Sequence, residues 1–587
     1  MDQAILSKAT SWAENNYFDE HDRQEIRNLL NSLPQSEVEL NERFYRDLEF
    51  GTGGLRSPMG MGSNRMNKYN VRRATQALVN MMLKYSKQSC AVVSYDSRNN
   101  SFNFAKEVAG VFAANGIKAY IFDQMAPTPI LSYAVRSYSA LGGVMITASH
   151  NPPIYNGFKA FWNDGGQVVP PIDKEIIDSY NTLTNWQEIK STSFEQALSD
   201  GMIEWVGHEI IEKYYEVVEN KVIQNKEMCK EQGKSLSIVY TNLHGTGEVF
   251  CQAVASRLGF SNFYSIPEQA KPDGNFPTVK SPNPEDAEAL QMAVDYMLSQ
   301  NADIAYGTDP DGDRLGVVIN NNGTPAYING NQIAALMIYY VMKYKSENKT
   351  MPSHPLVIKS IVTSPIQNAI VEHFGGTVQD TLTGFKWMAG LIRELEVSNS
   401  KYNFVFASEE SFGYMPHSEG RDKDGVSAMA LMSEVALHYK LQGKNLVEAL
   451  DEIYTQFGFY YESLVSLTYE GIAGTQKISR IMEFFRNYPE ALFAREEIVE
   501  KEDYLTLQKT NIETKEVSKI GMTKSNVLSF TFKSGNKLFL RPSGTEPKIK
   551  FYTMVRETEG ELAQKKENAL KRVQIIEAEV RALCEKL

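Results

Sequence analysis

Residues 91–123 read AVVSYDSRNNSFNFAKEVAGVFAANGIKAYIFD. The apolar run AVVSYD predicts a short buried strand, and the residues from SFNFAKEV onwards have the apolar spacing of a helix that ends at Gly116. The run IKAYIFD then predicts a second strand. Because strand and helix patterns alternate at this spacing, the segment predicts a mostly parallel α/β sheet.

The same pattern continues along the chain and then changes. A helix in TPILSYAVRSYSA and a strand in GGVMITAS follow, and new α/β patterns begin at residues 236 and 355. Residues 1 to about 45 predict polar helices with a break at Pro34. After about residue 457, short strands in NVLSFTF, NKLFLRP and IKFYTMV precede a final helix. The chain therefore predicts repeated α/β domains followed by a separate α+β domain.

The final predicted helix, residues 560–585, carries an apolar stripe. Its members recur at spacings of three and four: Leu570, Val573, Ile576, Val580 and Leu583. A dimeric coiled coil would use such a stripe, but this one is short, so we expect the helix to pack on its own domain. The protein is accordingly expected to be a monomer or a weak dimer.

Length and composition limit the possible classes of protein. At 587 residues the chain is too long for one hydrophobic core, which predicts about three or four domains. A content of 42% hydrophobic and 22% charged residues is typical of a globular protein. The net charge of −12 argues against nucleic acid or an anionic membrane as a partner. It does not exclude an anionic substrate, because an acidic protein can contain a basic pocket.

The N-terminal sequence and the cysteines suggest a cellular location. The start MDQAILSKATSWAENN has acidic residues and no long apolar run, so we expect no signal peptide. Apolar stretches such as VAGVFAANGIKAYIF are interrupted well short of a membrane span. The four cysteines are scattered without a CxxC spacing, which is typical of reduced thiols. We expect a soluble, cytoplasmic protein.

The stretch GVMITASHNPPIYNG, residues 143–157, delivers Ser149 and His150 from a predicted strand into a loop. A serine hydrolase would place its nucleophile in a GxSxG elbow, and this loop lacks the flanking glycines. Neighbouring side chains usually point apart, so a nucleophile–base pair is not expected here. From this stretch alone, a reactive serine and an ordinary loop serine both stay open.

The stretch GTDPDGDRLG, residues 307–316, places Asp309, Asp311 and Asp313 between two predicted strands. Three carboxylates this close repel one another unless a cation lies between them. Oxygen ligands alone favour Mg²⁺ or Ca²⁺ over zinc. An EF-hand would need Gly at 314 and Glu at 320, where the chain has Arg314 and Asn320. A solvated acidic turn is the alternative.

The stretch LFLRPSGTEPKIKFY, residues 538–552, sets a glycine, two hydroxyls and an arginine between two predicted strands. Gly544 frees the backbone, Ser543 and Thr545 offer hydroxyl donors, and Arg541 offers a bidentate fork. Together they predict a phosphate-binding loop. A plain hairpin loop could carry the same residues by accident.

Three further loops carry weaker signals, because glycine-containing turns and acidic loops are common. They are EFGTGGLR (49–56), TGFKW (383–387) and ASEESFGYMPHSEGRDKDG (407–425). In the last of these, Glu409 and Ser411 are placed to hold neighbouring hydroxyl groups of a ligand. Lys423 in the same loop is a candidate for proton transfer.

Taken together, TASHNP, DPDGDR, EESFGY with KDG, and RPSGTEP resemble in order and rough spacing the motifs of the α-D-phosphohexomutases. FGTGGLR followed by MGMGSNRMN looks most like the phosphoglucomutase branch, which includes the phosphopentomutases. The resemblance spans residues 49 to about 552. It implies a four-domain, heart-shaped α/β architecture with three related mixed-sheet domains and a C-terminal α+β domain. The expected domains are 1–209 with the phosphoserine loop, 210–326 with the metal-binding loop, 327–456 with the sugar-binding loop and 457–587 with the phosphate-binding loop.

The resemblance also implies an isomerase that interconverts glucose 1-phosphate and glucose 6-phosphate through a glucose 1,6-bisphosphate intermediate. Ser149 is the implied phosphorylated serine and, with Asp309, Asp311 and Asp313, an implied ligand of one Mg²⁺ per chain. Pro310 stands where other members have glycine, but the aspartates are all in place. Because a phosphoserine carries roughly −1.5 to −2 charges at neutral pH, a metal is needed beside these carboxylates. The prolines of TASHNPP are expected to hold the loop in position.

Further residues receive roles from the resemblance. His150 and Lys423 are the implied general base and general acid, in an order that the sequence leaves open. Glu409 and Ser411 are implied to hold the 3- and 4-hydroxyls of the sugar. The other implied substrate-binding residues are Arg56, Lys159, Arg314, Thr383, Gly384, Arg541, Ser543, Gly544 and Thr545.

Several related functions compete with this interpretation. The same chemistry could act on another sugar, as in a phosphopentomutase or a phosphomannomutase, although EESFG resembles the glucose-selective loop. A glucose 1,6-bisphosphate synthase, with 1,3-bisphosphoglycerate as the phosphoryl donor, is a second alternative. A catalytically inactive sugar-phosphate sensor is a third, and the presence of Ser149, the three aspartates and Lys423 argues against it.

Overall fold

The structure of the protein, a computed structural model, describes residues 1–51, 54–469, 471–487, 497–543 and 548–587. The chain forms two compact units. The first unit contains Met1–Ile333 and Phe385–Asn445, and the second contains Ala334–Gly384 and Leu446–Leu587.

The first unit begins with a small helical layer, as predicted. Its helices are α1 (Gln3–Glu14), α2 (Glu20–Asn31) and α3 (Glu37–Phe44). Their apolar faces bury an aromatic cluster in which Trp12 stacks on Phe18 and meets Phe44 edge-on. Burial of large aromatic side chains holds these short helices together, because helices of about 12 residues are marginal in isolation.

A six-stranded mixed sheet follows, in the order β1-β5-β4-β2-β3-β6. The pairs β2–β3, β2–β4 and β3–β6 are parallel, and the pairs β4–β5 and β1–β5 are antiparallel. Its strands are β1 (Gly54–Pro58), β2 (Cys90–Tyr95), β3 (Lys118–Ile121), β4 (Gly142–Ile146), β5 (Tyr155–Trp162) and β6 (Ile203–Trp205). Its helices are α4 (Lys68–Tyr85), α5 (Ser101–Ala114), α6 (Thr128–Ser137), α7 (Ile172–Thr182) and α8 (Phe194–Ser199). The strand–helix–strand pattern of residues 91–123 is therefore confirmed.

A five-stranded sheet in the order β11-β10-β9-β7-β8 comes next. Its strands are β7 (Ile238–Thr241), β8 (Phe263–Ser265), β9 (Ile304–Thr308), β10 (Leu315–Asn321) and β11 (Thr324–Ile328). Its helices are α9 (His208–Val217), α10 (Lys226–Gln232), α11 (Gly247–Leu258), α12 (Pro267–Ala270) and α13 (Ala287–Ser299). The aspartate loop joins the antiparallel strands β9 and β10, as the sequence predicts.

The first unit also contains α16 (Phe385–Val397), the antiparallel pair β14 (Asn403–Glu409) and β15 (Gly413–Met415), and α17 (Gly425–Leu441). Helix α17 is buried over nearly its whole length. Its N-terminus is fixed by Asp424, whose side chain accepts a hydrogen bond from the Ser427 amide. The residue before this cap is Lys423.

The boundary between the units falls within α14 (Gly330–Glu347). The second unit contains the parallel pair β12 (Pro355–Ser360) and β13 (Thr377–Thr381), with α15 (Ile366–His373) and α18 (Leu446–Phe457). A seven-stranded sheet follows in the order β16-β22-β21-β20-β17-β18-β19, and all of its pairs are antiparallel. Its strands are β16 (Phe459–Thr468), β17 (Ile498–Asp503), β18 (Gln508–Asn511), β19 (Val517–Lys519), β20 (Leu528–Phe532), β21 (Lys537–Pro542) and β22 (Lys548–Glu557). Its helices are α19 (Gly471–Asn487) and α20 (Leu562–Lys586).

Helix α20 packs against β16 and β22, so the expectation that it contacts its own domain is confirmed. The register of the buried stripe differs from the prediction, because Leu570 is 42% exposed. The buried face consists of Lys565, Ala569, Val573, Ile576, Val580 and Cys584. Within the described part of the chain, no helix is both long enough and apolar enough to span a bilayer.

Candidate active site

Ser149 lies in the loop between β4 and β5 with its backbone in the left-handed region, at a φ of 50°. The side chain is buried, and its hydroxyl donates a hydrogen bond to Asp309 Oδ2 at 2.7 Å. The same oxygen lies 3.1 Å from Nδ1 of His150. The expectation that these neighbours point apart is therefore wrong. A left-handed residue turns the chain sharply, which brings the two successive side chains together.

The three aspartates of the β9–β10 loop lie close to Ser149 and are all buried. One oxygen from each of them lies within 4.8 Å of the others. Asp309 Oδ1 accepts hydrogen bonds from the amides of Asp313 and Arg314, each at 3.1 Å. These bonds tie Asp309 to the backbone at the other end of the loop, which keeps the carboxylates close together.

Two lysines satisfy one oxygen each of Asp311 and Asp313. Lys159 Nζ, from β5, lies 2.6 Å from Asp311 Oδ2 and 3.2 Å from Asp313 Oδ2. Lys423 Nζ lies 3.0 Å from Asp313 Oδ2. The Oδ1 atoms of Asp311 and Asp313 are buried without a hydrogen-bond partner. Buried carboxylate oxygens without a donor are costly, and a hard divalent cation would satisfy both. The residues present therefore fit a metal.

The electrostatics of the cluster agree with this fit. Burial, together with the charges of Asp313 and Asp311, raises the pKa of Asp309 well above its usual range. Burial alone would also raise the pKa of Asp311, but the neighbouring Lys159 ammonium lowers it below its usual range. The lysines thus compensate part of the negative charge, and a cation is needed for all three groups to be ionised together.

The two candidate proton-transfer groups are held in opposite protonation states. Burial, followed by the charges of Arg314 and Arg56, lowers the pKa of His150 well below its usual value. Burial alone would lower the pKa of Lys423, but Asp313 and Asp422 raise it above its usual value. Near neutral pH, His150 is therefore an uncharged imidazole and Lys423 is an ammonium.

Other predicted substrate residues of the first unit lie around this cluster. Arg56, on β1, donates to the Asn151 side chain at 2.9 Å. Arg314 forms an ion pair with Glu285. Glu409 ends β14 and is buried, and Ser411 lies in the turn to β15. This turn is tied to the aspartate loop, because Leu315 N donates to Phe412 O at 3.1 Å.

The remaining predicted residues belong to the second unit or lie outside the described residues. Thr383 and Gly384 follow β13, and Gly384 has a φ of 113°. Arg541 lies on β21, directly opposite Lys550 on β22. Ser543 follows β21, and its amide donates to Lys548 O at 2.8 Å. Gly544 and Thr545 lie outside the described residues.

The sequence interpretation missed two sets of residues that hold these loops. Arg98, just after β2, binds backbone carbonyls of the Ser149 loop. Asp424, next to Lys423, accepts from the Tyr214 hydroxyl at 2.9 and 2.8 Å and lies 3.1 Å from His417 Nε2. The adjacent charges of YDSR after a strand were a usable signal for Arg98. Tyr214 lies 210 positions from Asp424, so only the fold reveals their contact.

Comparison with known proteins agrees with this geometry. Residues 47–186, 212–323 and 329–457 match the alpha/beta/alpha domains I, II and III of phosphoglucomutase/phosphomannomutase. A phosphoglucomutase of Staphylococcus epidermidis is 34% identical over 540 residues, which cover 92% of this chain and 96% of the relative. The chain belongs to the phosphoglucomutase/phosphomannomutase family. A phosphoglucomutase of Staphylococcus aureus strain N315 is 35% identical over 523 residues, covering 89% of this chain and 92% of the relative.

A solved structure shows the same fold. The crystal structure of the exocytosis-sensitive phosphoprotein parafusin, a phosphoglucomutase from Paramecium, matches with a TM-score of 0.69 and 18% identity, covering 92% of this chain and 95% of the other. The predictions of the α-D-phosphohexomutase family, of three mixed-sheet α/β domains with a C-terminal sheet domain, and of a mutase enzyme are confirmed.

Proposed function

We propose that the protein is an α-phosphoglucomutase that interconverts glucose 1-phosphate and glucose 6-phosphate through phospho-Ser149. The observation that carries this proposal is the placement of the Ser149 hydroxyl, 2.7 Å from Asp309 and 3.1 Å from His150, beside a buried carboxylate cluster that fits a cation. A buried serine without chemistry needs neither the histidine nor the metal site. Relatives at 34–35% identity that are named phosphoglucomutases support the choice of substrate.

The reaction consists of two phosphoryl transfers. In the first, the bond between phosphorus and Ser149 Oγ breaks as a bond forms between phosphorus and the 6-hydroxyl oxygen of glucose 1-phosphate. The proton lost by the sugar hydroxyl is balanced by a proton gained at Ser149 Oγ. After glucose 1,6-bisphosphate turns over, the second transfer returns the 1-phosphoryl group to Ser149 and releases glucose 6-phosphate. Positioning and electrostatics supply most of the catalysis in such transfers.

The chain's own residues divide the proton transfers between them. His150 Nδ1 is within reach of Ser149 Oγ, so we assign it to the serine oxygen. Lys423 is assigned to the sugar oxygen. In the transfer that phosphorylates Ser149, neutral His150 accepts the serine proton and the Lys423 ammonium donates a proton to the sugar oxygen that loses the phosphoryl group. The opposite transfer starts from the states that this leaves, with imidazolium His150 as the acid and the Lys423 amine as the base. Asp424, held by Tyr214 and His417, fixes the backbone next to Lys423.

Asp309, Asp311, Asp313 and a phosphoryl oxygen on Ser149 would hold one Mg²⁺, which supplies positive charge to the transferring phosphoryl group when bound. Mg²⁺ is preferred over Ca²⁺ because three carboxylates and one phosphoryl oxygen are fewer ligands than the six to eight that Ca²⁺ takes. Lys159 and Arg56 line the same phosphate. The positive charges of Lys159, Arg56 and the metal would then surround the dianionic phosphate on Ser149.

Substrate recognition is assigned to the remaining loops. Glu409 and Ser411 hold the 3- and 4-hydroxyls of the sugar, and the phosphate that is not reacting binds the C-terminal loop. The other residues assigned to substrate binding are Arg314, Thr383, Gly384, Arg541, Ser543, Gly544 and Thr545. The four unpaired cysteines favour the reducing cytoplasm. The burial of the α20 stripe on its own sheet supports a monomer or weak dimer.

A coupled assay tests the substrate assignment. Glucose 1-phosphate, mannose 1-phosphate and ribose 1-phosphate are compared at equal concentrations with Mg²⁺ and catalytic glucose 1,6-bisphosphate. We expect the highest kcat/KM for glucose 1-phosphate. A preference for ribose or mannose would assign the same chemistry to a phosphopentomutase or a phosphomannomutase. Net production of glucose 1,6-bisphosphate from 1,3-bisphosphoglycerate, without mutase turnover, would assign a synthase.

A further inference from the structure

Arg98 is a fully buried arginine whose guanidinium binds the Ser149 loop. Its side chain has an exposure of 0%. One terminal nitrogen, Nη2, donates to the carbonyl oxygens of Ser149, at 2.6 Å, and of Asn151. The other, Nη1, donates to Pro152 O at 2.9 Å and to Tyr155 O at 3.0 Å. One side chain therefore binds four carbonyls within seven residues of the loop.

The loop needs an external donor because of its composition. Pro152 and Pro153 carry no N–H group, so the segment has few backbone donors of its own. Four of its carbonyls accept from the buried Arg98 guanidinium, where an unsatisfied acceptor would be costly. Only the planar, multiply donating guanidinium can reach four acceptors from one point. The prolines restrict the backbone of the loop, and Arg98 binds its carbonyls.

The guanidinium is itself held by the carboxylate of Asp96. Its Nε lies 3.4 Å from Asp96 Oδ2, and Asp96 also accepts from the hydroxyls of Thr147 at 2.6 Å and Ser101 at 2.7 Å. Thr147 Oγ1 in turn accepts from the Ser149 amide at 2.8 Å. Two chains of contacts, one through the carbonyls and one through Asp96 and Thr147, thus lead from Arg98 to the same serine.

The guanidinium also contacts the segment before α13. The Arg98 guanidinium carbon lies 5.0 Å from the centre of the Phe276 ring. The Asn99 amide side chain donates to Asn275 Oδ1 at 2.9 Å, and Ser281 Oγ donates to the His150 carbonyl at 2.9 Å. The segment that covers Arg98 therefore also fixes the backbone of His150.

We propose that Arg98 is a positioning residue for phosphoryl transfer, which holds the backbone of residues 149–155 so that the Ser149 hydroxyl points at Asp309 and His150. Arg98 does not touch the reacting atoms, and it acts only through the loop. This inference rests on the proposed function for its catalytic consequence. Its structural part, the control of the Ser149 loop by Arg98, is measurable without turnover.

The test compares Arg98→Lys with Arg73→Lys. Arg73 is a matched control because it is also buried, binds the Tyr180 carbonyl at 3.1 Å and pairs with Asp47 at 3.2 Å, all in the same domain. Lysine keeps the positive charge beside Asp96 or Asp47. At position 98 it cannot make the four hydrogen bonds that the guanidinium donates to the loop carbonyls. Arg98→Met is a second variant, which removes the charge as well. Its results are compared with those of the wild type only if its circular dichroism spectrum is native.

The first measurement is amide hydrogen exchange of the full-length, unphosphorylated protein without substrate. In Arg98→Lys we expect peptides covering residues 147–157 to exchange at least tenfold faster than in the wild type. The rest of the six-stranded sheet should be unchanged, and Arg73→Lys should leave the loop at the wild-type rate. Equal loop protection in wild type and Arg98→Lys overturns the proposal.

The second measurement is the rate at which glucose 1,6-bisphosphate phosphorylates Ser149, with kcat and KM for glucose 1-phosphate. A misplaced nucleophile costs on the order of 100-fold in rate. Arg98→Lys should show that loss in kcat and in phosphorylation rate, with KM within about twofold because binding groups are untouched. The proposal is overturned if Arg98→Lys and Arg73→Lys lose the same factor in kcat and phosphorylation rate, and if those losses simply follow the fall in melting temperature. If wild type itself is not phosphorylated, the proposed function fails, and the exchange measurement still decides whether Arg98 controls the loop.

Discussion

The Ser149 loop and the β21–β22 loop are both assigned to phosphate groups, yet they are built differently. Ser149 is 3% exposed, its hydroxyl is engaged by Asp309 and His150, and Lys159 pairs with the neighbouring Asp311. Arg541 is only partly buried and lies directly opposite Lys550 in the antiparallel pair. Like charges directly opposite each other destabilise a sheet, and a bound anion relieves that repulsion.

The difference predicts that the two loops serve different steps: the Ser149 loop serves phosphoryl transfer, and the β21–β22 loop serves substrate binding. A closed network with fixed donors and acceptors is organised before substrate arrives, so its loss should appear in the chemical step. A partly exposed cationic pair is stabilised when a phosphate binds, so its loss should appear mainly in binding. The four experiments below test this separation, beginning with the largest expected effect.

Ser149→Ala should lower turnover by several orders of magnitude and leave the fold intact, because only the phosphoryl acceptor is removed. Peptide mapping of the wild type should find phosphate on Ser149. Ser137→Ala, an exposed serine of α6 in the same domain, should behave like the wild type. Near-normal turnover in Ser149→Ala would exclude the covalent route.

Removal of the metal should have the next largest effect. A chelator should abolish turnover and Mg²⁺ should restore it, with Ca²⁺ much less effective. Asp311→Asn should lower kcat roughly 10²–10³-fold, the scale of one lost electrostatic stabiliser. The matched change Asp303→Asn removes a partly buried carboxylate of the same domain, paired with Lys440, and should spare turnover. Full activity in excess chelator would contradict a catalytic metal.

Local patterns were enough to predict most of the fold and the chemical groups of the site. Strand β4 and the Ser149 loop follow from a run of apolar residues and two prolines within residues 142–155. The aspartate loop follows from alternating carboxylates within residues 307–316. The resemblance to a family supplied the roles, since no spacing rule reveals which serine accepts a phosphoryl group.

Features set by distant contacts could not be predicted in the same way. Ser149, with its left-handed φ of 50°, is bound by Arg98 and Asp309, which lie 51 and 160 positions away. The burial of Asp424 against Tyr214 depends on packing between helices. The exposure of Leu570 shows the same limit, because spacing defines a stripe but not which of its edges meets the sheet.

Lys423→Ala should lower kcat more than it changes KM, because a proton-transfer group acts mainly in the transition state. General acid–base groups contribute about 10²–10⁴-fold, and we expect a loss in that range. Lys440→Ala, which breaks the ion pair with Asp303, is the control for loss of a partly buried lysine in the first unit. A change confined to KM would reassign Lys423 to substrate binding.

The smallest effect is expected at the C-terminal loop, where Arg541→Ala removes the bidentate fork assigned to the phosphate that is not reacting. A lost charge-assisted pair of roughly 1.5–3 kcal/mol corresponds to about a tenfold or greater fall in kcat/KM, mainly through a higher KM. Phosphorylation of Ser149 by excess glucose 1,6-bisphosphate should persist, since the Ser149 network is untouched. Arg556→Ala removes an exposed arginine from the opposite end of β22, over the Tyr460 ring, and should have no effect. If Arg541→Ala matches the wild type with glucose 1-phosphate, the β21–β22 loop does not grip phosphate, and the repulsion between Arg541 and Lys550 must be relieved in another way.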